Sequence, residues 1–349
     1  MTLTQQPKES FAAAAALLRS CDVWEMTLPW LPVYWDIEIL ARYKRAGYTF
    51  VSATLQDWPP TLDGMRGAID RFRALAACDA PWLAFASTLA DIDRGRQEGK
   101  LVLGLNSQET LPVAEDLANL ESLHALGIRH MLLAYNVRNR VADGCAEASN
   151  AGLSNFGRRL IREMNRAGII VDCSHTGQRS SLEAMSLSER PVIFSHSNPA
   201  ALYAHVRNLS DEQIRACAAT GGVIGIVGVG AYLGDPNAQT DTLFHHIDYV
   251  ASLVGAAHVG LGTDFVNIFP AHEHQARWDE IADIQKSWPD PIDAWPNPSG
   301  LQLAAEATRC FSPEQLLPLV DLMLLHQYPT EAIKGILGAN FRRIYAQIM

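Results

Sequence analysis

Positive charge is scarce in this chain of 349 residues: 28 Lys and Arg stand against 38 Asp and Glu, a formal net charge of −10. No basic cluster of the kind that neutralises phosphates is present, which argues against nucleic acid and anionic membrane surfaces as partners. No run approaches the roughly 18 apolar residues of a membrane span. The N-terminal stretch Phe11 to Leu18 lacks a basic leader and runs into Arg19-Ser20-Cys21-Asp22, so it reads as a helix over 8–20 packed under the fold, not as a signal segment. The six cysteines, Cys21, Cys78, Cys145, Cys173, Cys217 and Cys310, have no CxxC spacing. Scattered in this way they read as reduced core thiols of a cytoplasmic protein.

Several catalytic signatures are missing too. There is no GxSxG elbow for a serine nucleophile. The nearest approach to a dinucleotide fingerprint, Gly228-Val-Gly230-Ala-Tyr-Leu-Gly234, has the wrong spacing for a Rossmann fold. Internal repeats and low-complexity segments are likewise absent.

What is there is alternation. Short apolar runs at Thr49 to Leu55, Trp82 to Ala86, Leu101 to Leu105, Met131 to Tyr135, Ile169 to Cys173, Val192 to Phe194, Val223 to Val229 and Val259 to Leu261 read as strands, and a further one as ending near Asp22. Amphipathic stretches at Thr110 to Leu126, Ser154 to Ala167 and Ser210 to Thr220 lie between them, the last opened by the capping box Ser210-Asp211-Glu212-Gln213. Continuous apolar strands are covered on both faces, the habit of parallel sheets flanked by helices. Eight or nine βα units without a Gly-rich phosphate loop predict an α/β fold, a (β/α)₈ TIM barrel, as a single domain over 1–349. The stretch Val266 to Gly300, with Trp278, Trp288, Trp295, five prolines and the pair His272 and His274, is too long and aromatic for an ordinary connection and reads as a lid.

In such a barrel the polar residues that follow each strand face the active-site mouth. They are Asn106, Tyr135 and Asn136, Asp172 and His175, His196, and Asp264. Two histidines and an aspartate reaching one rim from separate strands suit a divalent cation such as zinc. Cys173, inside an apolar run, reads as a buried thiol, and His245-His246 as a helix surface.

The strand ends also carry a resemblance. Asp-Cys-Ser-His175, Phe-Ser-His196-Ser, Arg207-Asn-Leu-Ser-Asp and Gly-Leu-Gly-Thr-Asp264-Phe, with Gly127-Ile-Arg-His-Met-Leu-Leu-Ala-Tyr-Asn and the C-terminal Ile336-Leu-Gly-Ala-Asn-Phe-Arg-Arg, resemble the renal (membrane) dipeptidase family, peptidase family M19, over residues 15 to 348. The resemblance implies a barrel of the amidohydrolase-like, metal-dependent hydrolase type, with two zinc ions bridged by a glutamate, hydrolysing dipeptides. Carried over residue by residue, it places second-metal ligands at His175 and His196, the arginine that holds the substrate carboxylate at Arg207, and the aspartate beside the reacting water at Asp264. The family's first His-x-Asp falls on Trp24-Glu25-Met26, its bridging glutamate on Asn106 and a further histidine on Tyr135.

Trp and Met bind no zinc, and a neutral Asn cannot bridge two cations. The expectation is therefore at most one ion, on His175 and His196 with Asp264, Asn106 or Glu25 completing the shell. Asp264 and Tyr135 would be catalytic, and Arg207, Tyr135 and Asn136 would contact a dipeptide or N-acyl amino acid. A paralogue that only binds a small carboxylate, and a metal-free lyase or isomerase, are the alternatives, and a homodimer is the expected assembly.

Overall fold

The structure is a computed structural model, and it describes residues 8–30, 37–55, 61–114, 116–265 and 309–349. The proposed lid, with His272 and His274, lies outside the described residues.

The strands are β1 (Trp24–Trp30), β2 (Phe50–Leu55), β3 (Leu83–Phe85), β4 (Leu101–Ser107), β5 (Ile128–Leu132), β6 (Ile170–Asp172), β7 (Ile224–Ile226) and β8 (Val259–Leu261). All pairings between them are parallel, in the order β1-β2-β4-β5-β6 and, separately, β7-β8. Residues 192–194 join the two sheets through single bridges, Asp172 to Ile193 and Phe194 to Ile224. Glu25 of β1 then reaches across to Thr263, just after β8, and closes the ring. Eight positions therefore surround the axis, β1, β2, β4, β5, β6, residues 192–194, β7 and β8, and the fold is a (β/α)₈ barrel. The short β3 stands beside the lower half of β4.

Side chains alternate along each strand, so one residue in two points into the barrel. The lower interior is apolar: Trp24 and Met26 from β1, Phe50, Val102, Ile170, Ile193 and Val223 form one cluster, plugged by Phe341, Ile344 and Tyr345 of the C-terminal helix. Each such side chain withdrawn from water contributes roughly 1.5–3 kcal/mol. Gly104 is required here, because a Cβ would lie 2.4 Å from the Phe50 ring. One step up the same strands the interior turns polar, with Ser52, Asn106, His130, Asp172 and Ser195 all buried. The larger apolar cluster lies between the sheet and its helices.

Helices fill the connections: α1 (Lys8–Ser20), α2 (Ile37–Ala46), α3 (Leu62–Asp79), α4 (Leu89–Gln97), α5 (Leu111–Ala114), α6 (Asn119–Leu126), α7 (Asn155–Ala167), α8 (Gln178–Leu187) and α9 (Asp211–Ala219), followed by others to the C-terminus. The Ser210 and Gln213 capping box forms at the start of α9, worth about 1 kcal/mol. Ser154 likewise caps α7. None of the described helices is long and apolar enough to cross a membrane.

Four details differ from the sequence reading. The first strand begins at Trp24 instead of ending near Asp22, because Trp24 pairs with Phe50 and so joins the sheet. The stretch from Thr110 to Leu126 is two helices, with the Asp116 side chain accepting from the Ala118 amide between them. β5 spans Ile128–Leu132, not Met131 to Tyr135, so Tyr135 follows the strand. His246 is buried with its Nε2 3.2 Å from the Leu233 carbonyl, and only His245 is on the surface.

Candidate active site

His175 and His196 meet at the mouth. Each follows a barrel position by a few residues, and their Nε2 atoms converge to 2.9 Å. His175 Nδ1 lies 2.7 Å from Asn136 Oδ1, an atom that can only accept, so this nitrogen carries the proton. His196 Nδ1 lies 2.8 Å from Ser195 Oγ and 3.1 Å from Thr27 Oγ1, hydroxyls that can accept or donate. His175 Nε2 therefore accepts from His196 Nε2–H, whose Nδ1 accepts from the two hydroxyls; with those hydroxyls turned to accept instead, both Nε2 lone pairs can face a shared partner, a polar group behind each ring fixing its orientation. Burial, and then the Arg207 guanidinium, holds His175 well below the ordinary histidine range and His196 down at about 3. Both rings are neutral near pH 7, the form in which imidazole binds a metal.

The backbone supports this placement. His175 and Asp264 both have positive φ, 61° and 54°. Such strain in non-glycine residues persists only where the surroundings hold it, and His175 is held by its carbonyl, which accepts from the Cys145 amide at 2.7 Å. The Tyr135 ring stacks on His175 with centroids 3.9 Å apart. Burial drives the Tyr135 phenol well above its usual pKa, so it stays protonated and can donate. Burial also pushes Asp264 up to about 6, against the pull of Arg207.

Arg207 is buried, donates from Nη2 to the His196 carbonyl at 3.0 Å and stands over the Tyr232 ring. Among the described residues the hydrogen bond of its guanidinium goes to the His196 carbonyl and to no carboxylate, and its Nε lacks a partner. A cavity of about 330 Å³ opens beside His175 and Arg207, with Cys145, Glu147, Gln178 and Ser210 on its walls.

The other candidates are engaged elsewhere. Glu25 accepts from the Thr263 amide at 2.7 Å, the Thr263 hydroxyl at 2.6 Å and the Thr27 amide at 3.1 Å, while burial pushes its carboxyl up to about 7. Asn106 accepts from Thr54 at 2.7 Å and donates to Ser52 at 2.9 Å. Asn136, expected against the substrate, is buried with its carbonyl oxygen on His175. Among the described residues no group of three His, Cys, Asp or Glu side chains is gathered as a metal site. Cys173 is buried with its thiol pushed well up by burial. The sequence reading missed Thr27, Ser195 and His130, of which His130 carried a signal: a polar residue at an inward position of an apolar run.

The fold is a parallel (β/α)₈ barrel with paired histidines and an arginine at the carboxyl-terminal ends of its strands. Residues 42–283, more than half of the chain, match the membrane dipeptidase family, peptidase family M19, and the chain belongs to that family. It is 38% identical over 154 residues to an uncharacterized dipeptidase of Schizosaccharomyces pombe, covering 43% of this chain and 38% of that one. To a dipeptidase of Claviceps purpurea it is 31% identical over 208 residues, covering 58% of this chain and 49% of the other. The matched segment spans less than half the length of these relatives. The fold matches an amidohydrolase from Pseudomonas aeruginosa with TM-score 0.81 and 24% identity over 96% of this chain and 98% of that one. It also matches a metallo peptidase from Rhodobacter sphaeroides, liganded with a phosphinate mimic of L-Ala-D-Ala, with TM-score 0.72 and 17% identity over 94% and 99% of the two chains.

Proposed function

We propose that the chain hydrolyses the amide bond of a dipeptide or N-acyl amino acid with a reduced metal centre, at most one divalent cation, held on His175 and His196. The observation that carries this reading is the pair of neutral imidazoles converging at 2.9 Å, with the Asn136 carbonyl oxygen behind one ring and hydroxyls able to accept behind the other. That donor chemistry fits zinc or a similar ion. The family's first metal does not fit: Trp24 and Met26 are in the apolar plug, and the amide of Asn106 is engaged by Thr54 and Ser52.

When bound, the cation supplies an acidified water and so a nucleophile at neutral pH. Arg207, whose buried Nε has no partner among the described residues, then forks onto the substrate carboxylate in a charge-assisted pairing. Asp264, ionised above about pH 6, takes up the proton. The Tyr135 phenol donates to the oxygen that becomes negative as the amide carbon turns tetrahedral.

The test is zinc content before and after zinc loading, in the native chain and in one carrying His175→Ala and His196→Ala, alongside hydrolysis of L-Ala-D-Ala and N-acetyl amino acids. About one equivalent and turnover, both lost in the double variant, is the expected result. Two equivalents, or turnover that survives in the double variant, overturns it.

A further inference from the structure

We infer that Asp172 is the positioning residue for the histidine pair, acting through the backbone just ahead of each ring; this rests on the reading of His175 and His196 as the site's donors. Asp172 ends β6 and is 1% exposed. Its Oδ1 accepts from the Ser174 amide at 3.0 Å and from the Ser195 amide at 3.1 Å. Ser174 immediately precedes His175, and Ser195 immediately precedes His196. One carboxylate oxygen therefore holds two loops together at the equivalent point of each, one residue before the donor ring.

The junction is reinforced from both sides. The His196 amide donates to Ser174 Oγ at 3.0 Å, and the Ser174 and Ser195 hydroxyls lie 3.3 Å apart. Below Ser195 there is no room for adjustment: a Cβ at Gly225 or Gly262 would come within 2.0 or 1.8 Å of the Ser195 carbonyl oxygen. The other carboxylate oxygen, Oδ2, faces His130 Nδ1 on β5 at 3.1 Å, and His130 Nε2 continues to Ser52 on β2 at 3.0 Å. Asp172 is thus the end of a buried truss of side chains that crosses the barrel and finishes at the two histidines. Burial alone would raise its pKa, but the hydrogen bonds from His130 and Ser195 help outweigh burial and hold it at about 2. The carboxylate stays ionised, so its amide bonds are of the stronger, charge-assisted kind.

Removing a group that orients a metal-binding histidine typically weakens the metal by about 10–100-fold. Three variants separate positioning from mere packing. Asp172→Asn keeps an acceptor oxygen for both amides, whereas Asp172→Glu keeps the charge but moves the oxygens by a methylene, and Asp172→Ala removes them. The readouts are the zinc dissociation constant by chelator competition and, in metal-free protein, the ¹⁵N shifts of the His175 and His196 rings.

The expected result is that Asn holds zinc within about threefold of the native chain while Glu and Ala lose about 10–100-fold, with the ring shifts altered only in the latter two. If Ala does not fold, the Asn and Glu pair decides. Native zinc affinity and native ring shifts in a folded Glu variant would overturn the inference. A native chain that binds no zinc would instead end the metal reading, and the ring shifts alone would then judge Asp172.

Discussion

The two halves of the barrel mouth treat their polar side chains in opposite ways. On the β1 to β5 side every conspicuous group is closed off: Glu25 on Thr263 and Thr27, Asn106 on Thr54 and Ser52, His130 on Asp172 and Ser52. On the side of β6 to β8 the groups are less fully engaged, with two Nε2 atoms facing each other, a buried Arg207 that has no carboxylate ion pair among the described residues and an Asp264 pushed up by burial. On the reading proposed above, the half of the site whose cation ligands are replaced need not collapse. It can form a self-satisfied hydrogen-bond network that stabilises the barrel, while the chemistry falls to the other half with Tyr135 at the seam. Buried polar groups are safe only when paired, and the network meets that condition without an ion.

If this division holds, substitutions in the two halves should fail differently. The largest effect belongs to His196→Ala. Losing one of two donors should remove several kcal/mol of transition-state stabilisation, so turnover should fall by about 10³-fold or more, well beyond the roughly 1–3 kcal/mol of stability lost by stranding the Ser195 and Thr27 hydroxyls. Steady-state hydrolysis and a melting curve on the same preparation check both. Arg207→Ala comes next: a charged hydrogen bond to a substrate carboxylate is worth about 1.5–3 kcal/mol, hence a fall of roughly 10–100-fold in kcat/KM, recovered in part by an amidated substrate that lacks the carboxylate. An unchanged kcat/KM would place the carboxylate elsewhere.

The closed half should show the reverse. Asn106→Ala takes the acceptor from the Thr54 hydroxyl and the donor from the Ser52 hydroxyl, both buried. The cost is about 1–3 kcal/mol of stability, read as a lower midpoint in urea, with kcat within a fewfold of native. A variant that melts normally but has lost turnover would mean that Asn106 belongs to the chemistry after all.

Much of the scaffold was legible because it depends on local signals. Val259 to Leu261 is a strand as read, and Ser154 and Ser210 cap the helices they were expected to open. The histidines were legible by position, since each follows an apolar run. What escaped depends on distant partners. β5 was started three residues late because Arg129 and His130 interrupt its apolar run; in the fold Arg129 reaches the Ser87 and His124 carbonyls, and His130 reaches Asp172 and Ser52. Glu25 looked like a spare ligand because nothing nearby showed that Thr263, 238 residues away, would take its carboxylate.

The smallest effect lies in the loop that braces the open half from outside. Asp143 accepts from Arg138 Nε at 2.6 Å and from Ser149 at 2.8 Å, and also from the Ala151 amide. Its neighbours in the chain contact the site directly: the Cys145 amide donates to the His175 carbonyl and the Ala146 amide to the Asn136 carbonyl. The Arg138 hydrogen bond, outweighing burial, lowers the Asp143 pKa from 3.8 to about 2. A depressed carboxylate stabilises the fold fully above its ordinary pKa and loses that contribution as pH falls through the folded value. The window is therefore about pH 4 to 2, and the contribution at stake is roughly 2 kcal/mol or less, since the Arg138 side chain is 51% exposed and salt screens it. Amide exchange in 139–151 should rise across that window before the barrel unfolds. Asp143→Asn should reproduce the loosening at pH 7 and raise KM more than it lowers kcat. Equal exchange in the native chain and the variant at neutral pH would show that the loop is held by its backbone bonds alone.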